Sequence, residues 1–70
     1  MSTEINCTPE FIKQLRKSLG LTQESLAKRL GVSFASVNRW ENGRTKPIKL
    51  AELQIILLYQ TECIDNKNTL

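Results

Sequence analysis

Apolar residues recur along this chain at three- and four-residue spacing in four successive blocks, the period of helices that bury one face. In the first block Phe11, Ile12, Leu15 and Leu19 share a face. Thr8 is placed to cap that helix, Pro9 to open it, Glu10 to meet the positive end of its dipole, and Gly20 to close it, so the pattern predicts a helix from Pro9 to Leu19. Lys13, Gln14 and Lys17 fall on its wet side. The second block, Leu26, Ala27 and Leu30, begins at a capping Thr22 with Glu24 in the first turn and stops at Gly31. Ser33 can cap a third helix, with Val37 and Trp40 on its inner side and Asn42 and Gly43 at its end.

Pro47 is expected to open a fourth helix, with Leu50, Leu53, Ile56 and Leu57 as its core stripe. Ile48, Ile55, Leu58 and Tyr59 are apolar as well, more than one small core requires. The surplus predicts a second buried surface, a homodimer contact through Ile55, Leu58 and Tyr59. The fold class implied is all-α, a compact bundle of four to five short helices. Residues 1–7 read as a frayed lead-in from which Ile5 can pack back, 8–60 as the helical domain, and 61–70 as a polar tail with at most a short turn around Cys63 and Ile64.

The stretch TQESLAKRLGVSFASVNRWENG, from Thr22 to Gly43, pairs two short helices about one glycine, the helix-turn-helix pattern. Ala27 lies four residues before Gly31, Val37 six after it and Trp40 nine after it, flanked by LGLTQ and WENGRTKP. With these features the chain resembles the DNA-binding domains of the phage repressor and Cro type, the lambda repressor-like or XRE regulators. Each position has a physical reason: a small Ala27 lets the helices cross closely, while Val37 and Trp40 fill the angle between them. The resemblance implies that helix 33–41 enters the major groove, and that the glutamine at Gln23 clamps the DNA backbone. It also implies that Arg16 pairs with Glu41, an acid beside an inward Trp40 and therefore in need of a partner.

Charge supports a polyanionic partner. Between Lys28 and Lys49 lie six basic residues, Lys28, Arg29, Arg39, Arg44, Lys46 and Lys49, against the single acid Glu41, in a chain whose net charge is only +3. At 100° per residue, turning Val37 and Trp40 inward sets Ala35, Asn38 and Arg39 opposite them, Phe34 and Ser36 on the flanks and Ser33 at the tip. These six residues are the expected base contacts. Arg39 can fork onto guanine O6 and N7, Asn38 can serve a base or a phosphate, and Ser33 and Ser36 suit either. Phe34 either touches a thymine methyl or folds back over the domain. Family members usually carry glutamines where this chain has Phe34 and Ala35, so the target sequence does not follow. Thr22 and Gln23 at a helix amino end, with Arg44, Thr45 and Lys46 beyond the third helix, are the expected phosphate contacts.

The 70 residues fit one domain, 40% hydrophobic and 24% charged, an ordinary globular balance. There is no histidine, and Cys7 and Cys63 are too far apart for a metal knuckle, so neither metal nor cofactor is expected; both cysteines read as free thiols in a reducing cytoplasm. No leader pattern opens the chain, and its longest apolar run, Ile55–Tyr59, falls far short of the roughly 20 residues a spanning helix needs. No glycine-rich phosphate loop or nucleophile–base set points to an enzyme. The leading expectation is therefore a sequence-specific binder of double-stranded DNA, a repressor acting as a homodimer on a two-fold site. The alternatives are the DNA-binding antitoxin of a toxin–antitoxin pair, with the toxin as protein partner, and a helical interaction domain without DNA binding.

Overall fold

The computed structural model describes residues 6–64, with the side chains of Cys63 and Ile64 outside the description. Four α-helices follow in order: α1 Pro9–Ser18, α2 Gln23–Leu30, α3 Phe34–Glu41 and α4 Lys49–Leu58, with a π-helical turn Tyr59–Ile64 continuing the last. The starts of the first three are set by hydroxyl caps. The backbone N–H of Phe11 donates to Thr8 Oγ1 at 3.1 Å, that of Ser25 to Thr22 Oγ1 at 3.0 Å, and that of Ser36 to Ser33 Oγ at 3.1 Å. Gly31 ends α2 at φ +75°, a conformation that strains any residue with a Cβ, and lets the N–H of Val32 reach back to the Ala27 carbonyl at 2.9 Å. That tight closure turns the chain from α2 into α3 within three residues, Gly31 to Ser33.

The core takes two residues from each helix: Ile12 and Leu15, Leu26 and Ala27, Val37 and Trp40, Ala51 and Ile55. Ala27 is buried between α2 and α3, where a larger side chain would push the helices apart. Phe11 and Tyr59 pack edge to face, with centroids 5.3 Å apart at 69°, and so fasten the π-helical turn to α1. Arg29 and Glu62 add a surface ion pair of 3.1 Å between the end of α2 and the same turn.

Helix α4 departs from the expectation in three ways. It begins at Lys49, after an Ile48 cap with no side-chain bond, so Pro47 precedes the helix instead of opening it. Its buried face is Ala51 and Ile55, with Leu58 and Tyr59 packed against the core, whereas Leu50 is 67% exposed and Ile48, Leu53 and Leu57 are all more than half exposed. The helix is thus turned by about one residue, ~100°, from the stripe expected of it. Ile55, Leu58 and Tyr59 are therefore core or core-packed residues and not a free dimer surface. The physical reason is Ala51: a small side chain allows α4 to approach closely, and Tyr59 then reaches Phe11. Finally, helical structure runs past residue 60 to Ile64, where the Thr61 hydroxyl donates to the Leu57 carbonyl at 3.0 Å and competes with the regular ladder. Residue Cys7, expected to fray, is half-buried against the core; Ile5 and the rest of 1–5, like 65–70, lie outside the described residues.

Candidate nucleic-acid interface

The outer surface of α3 begins with a cap that is itself occupied: Ser33 Oγ accepts the Ser36 N–H and lies 3.0 Å from Ser36 Oγ. Beyond it Phe34, Ala35 and Arg39 are exposed, Ala35 and Arg39 on the side opposite Val37 and Trp40 and Phe34 on the flank. Phe34 is 51% exposed, so its ring does not fold back over the domain. Ser36 is half-buried on the flank.

Asn38 sits apart from these. It is half-buried, its Nδ2 donates to Gln23 Oε1 at 3.1 Å, and its Oδ1 accepts from Asn42 Nδ2 at 3.1 Å. Gln23 in turn donates from Nε2 to Glu41 Oε1 at 3.1 Å. Glu41 also receives Arg16 Nε on Oε2 at 2.7 Å and Arg16 Nη2 on Oε1 at 3.0 Å, while Arg16 Nη1 donates to the Leu21 carbonyl at 3.0 Å. Burial alone pushes the Glu41 carboxyl up. The hydrogen bonds from Arg16 and Gln23 and the positive charges of Arg16 and Lys13 outweigh it and hold the group below the usual carboxylate range. The residues near Glu41 that sequence reasoning did not assign to it are Gln23, Asn38 and Asn42. Asn38 and Asn42, four apart on one helix face, carry the one pattern that signals such a link.

At the amino end of α2, Thr22 Oγ1 is taken up by Ser25, as acceptor from its N–H and donor to its Oγ at 3.1 Å. The N–H groups of Gln23 and Glu24, ahead of the first intrahelical bond, are left by helix geometry to face an external acceptor. Arg44, Thr45 and Lys46 are exposed in the loop after α3. Lys28, Arg29, Arg39 and Lys49 are exposed too, with Arg29 turned onto Glu62. The positive charge of the 28–49 segment therefore lies at the surface, and the acid within it, Glu41, is 5% exposed and neutralised from inside by Arg16.

Among the described residues no group of three His, Cys, Asp or Glu side chains could hold a metal, and no helix is long and apolar enough to cross a membrane. Cys7 is a free thiol, and burial together with the charge of Glu52 pushes it up to about 11.

Comparison with known proteins places relatives on this same region. A family described as helix-turn-helix matches residues 12–58. Over 55 residues the chain is 47% identical to the uncharacterized HTH-type transcriptional regulator YiaG of Escherichia coli K12, covering 79% of this chain and 54% of that protein. The HTH-type transcriptional regulator DicA of the same organism is 45% identical over 47 residues, covering 67% of this chain and 35% of its own. The HTH-type transcriptional activator BcrR of Enterococcus faecalis is 38% identical over 56 residues, covering 80% of this chain and 27% of its own. The chain spans about half the length of the first of these relatives and less of the other two.

Proposed function

We propose that this chain, which belongs to the helix-turn-helix family of the phage repressor and Cro type, binds double-stranded DNA sequence-specifically and regulates transcription. The observation that carries the reading is the exposed outer face of α3. Phe34, Ala35 and Arg39 are exposed on it, and Arg44, Thr45 and Lys46 are exposed in the loop that follows. Arg39 supplies a bidentate donor for guanine in the major groove, Phe34 and Ala35 supply apolar contact for a thymine methyl, and Ser33 and Ser36 border the same face. Thr22 and Gln23 hold one phosphate segment through backbone N–H groups and the Gln23 amide; Arg44, Thr45 and Lys46 hold another.

The protein works as a homodimer in the cytoplasm, since one recognition helix reads only a few base pairs and a two-fold pair doubles the contacts and sets their spacing. Repression needs nothing beyond occupancy of the site. The function proposed is binding, with no enzymatic step.

The test is selection of duplexes from a random pool, followed by a salt titration on the winning site. A two-fold consensus with half-sites about one helical turn apart, and affinity falling with a log–log salt slope of several units, is the expected result. Failure to retain any duplex at low salt overturns the proposal.

A further inference from the structure

Three side chains lead from the surface to the buried carboxylate with every donor aimed inward: Asn42 Nδ2 to Asn38 Oδ1 at 3.1 Å, Asn38 Nδ2 to Gln23 Oε1 at 3.1 Å, and Gln23 Nε2 to Glu41 Oε1 at 3.1 Å. The direction is forced. An ionised carboxylate only accepts, so Gln23 must present its NH2 to Glu41 and its carbonyl to Asn38. Asn38 must then present its own NH2 to that carbonyl, which leaves its Oδ1 for Asn42. Arg16, bonded to both oxygens of the carboxylate from the other side, keeps it ionised and fixed in place. Each amide thus has one orientation, although an isolated amide has two. Gln23 and Asn38 lie fifteen residues apart, on α2 and α3, so the relay also ties the phosphate-facing end of α2 to the recognition helix.

From this juxtaposition we infer that Asn38 is a positioning residue, not a base reader: together with Glu41 it holds the Gln23 amide in the orientation that leaves an N–H for a DNA phosphate. The inference rests on the DNA-binding function proposed above and changes the role expected for Asn38 within it. With one Asn38 N–H on Gln23 and its carbonyl accepting from Asn42, the amide is fixed within the protein and is not free to turn its donor–acceptor edge onto an adenine. Gln23 keeps a second N–H with no protein partner among the described residues. A donor is what a phosphate oxygen takes; Glu41 draws the Gln23 NH2 to its own side, and Asn38, bonded to the Gln23 carbonyl, keeps the amide from swinging away from that position.

The experiment compares Asn38→Ala, Gln23→Ala and the double variant on the selected site and on random duplex, with the Gln23 side-chain amide followed by NMR in the free protein. Asn38→Ala is expected to weaken both duplexes alike, by roughly fivefold to tenfold, the worth of one hydrogen bond. The double variant should bind no more weakly than Gln23→Ala, because Asn38 acts through Gln23. In the free protein the Gln23 amide protons should exchange with water faster in Asn38→Ala than in the wild type. Should Asn38→Ala lose its fold, Asn38→Asp, of the same shape but unable to donate to Gln23, carries the exchange measurement. Relaxed preference at one base pair, or losses that add in the double variant, would make Asn38 a base reader and overturn the inference. An unchanged Gln23 amide overturns it without reference to DNA. Absence of wild-type binding to any duplex would instead remove the functional reading while leaving the amide result to be judged alone.

Discussion

Arg16 grips Glu41 with two hydrogen bonds, Nε to Oε2 at 2.7 Å and Nη2 to Oε1 at 3.0 Å, and so joins the last turn of α1 to the last turn of α3. An acid at the carboxyl end of a helix sits at the negative pole of the dipole, and at 5% exposure it has little water to offset that. The guanidinium fork supplies what the site otherwise lacks.

Removing either partner leaves the other charge stranded. Arg16→Ala and Glu41→Ala should each cost about 3 kcal/mol, against about 0 to 1 kcal/mol for breaking the surface pair Arg29–Glu62. In a domain this small a loss of that size is most of the stability available. Urea unfolding of Arg16→Ala beside Arg29→Ala measures the contrast, and equal midpoints would show that the inner pair contributes no more than the outer one.

Stability should also depend on acid through Glu41. Its carboxyl is held below the usual range in the folded protein, so the folded state binds its proton less readily than the unfolded chain does. The stabilisation is present in full above the unfolded value, near 4.5, and is lost as pH falls from there through the lower folded value. Melting temperatures taken from pH 6 downward should fall for the wild type. Glu41→Gln should start lower and show a shallower fall across the same window; parallel curves would assign the acid sensitivity to other carboxylates.

The starts of α1, α2 and α3 were legible because their signals are chemical and local: Thr8 with Pro9, Thr22 and Ser33 each offer an oxygen to an N–H three residues on, and the structure has those bonds. The inner sides of α1, α2 and α3 followed from spacing alone, since each has one apolar stripe and one polar one. The orientation of α4 did not. From Ile48 to Tyr59 apolar residues occur on every side, and periodicity cannot choose a face when all are greasy. The choice was made by Ala51, too small to stand out in a pattern, and by the Phe11–Tyr59 contact across the fold. Asn38 was placed with the base contacts by its helical angle. Its engagement with Gln23 is a contact between helices, which no pattern within α3 carries.

The exposed arginine and the loop lysine should separate by what they lose on DNA. Arg39→Ala is expected to weaken the selected site by about 1 to 3 kcal/mol and to relax preference at one base pair, since its fork is exposed on α3 and engages no partner among the described residues. Lys46→Ala should weaken selected and random duplexes equally and lower the salt slope by about one unit. Binding isotherms on both duplexes at two salt concentrations decide the matter, and an equal loss on both for Arg39→Ala would place that residue on the backbone.

With α4 rotated, the exposed apolar surface lies on a different ridge, and we propose that ridge as the homodimer contact. Leu50, Leu53 and Leu57 recur at three and four residues along its outer ridge, with Ile48 at the head, all more than half exposed. Such a ridge presents apolar area on the order of several hundred Å², as large as the largest patch on a typical monomer. Stable pairs bury about 800 Å² on each partner, so two copies meeting along this ridge are expected to form a weak dimer in solution that DNA completes. Leu53→Glu with Leu57→Glu tests it, because neither side chain belongs to the core and the fold should survive. On the two-fold site the wild type should sediment with two protomers, and the double variant with one, at reduced affinity. Ile55→Glu is the contrasting variant: Ile55 is fully buried and its replacement should unfold the domain. If the wild type binds as a single copy, the ridge is not a dimer surface. If the ridge variant instead loses a different protein that co-purifies with the wild type, the surface serves that partner, as an antitoxin's would. If the ridge variant unfolds while Ile55→Glu does not, the core runs along the leucine face after all.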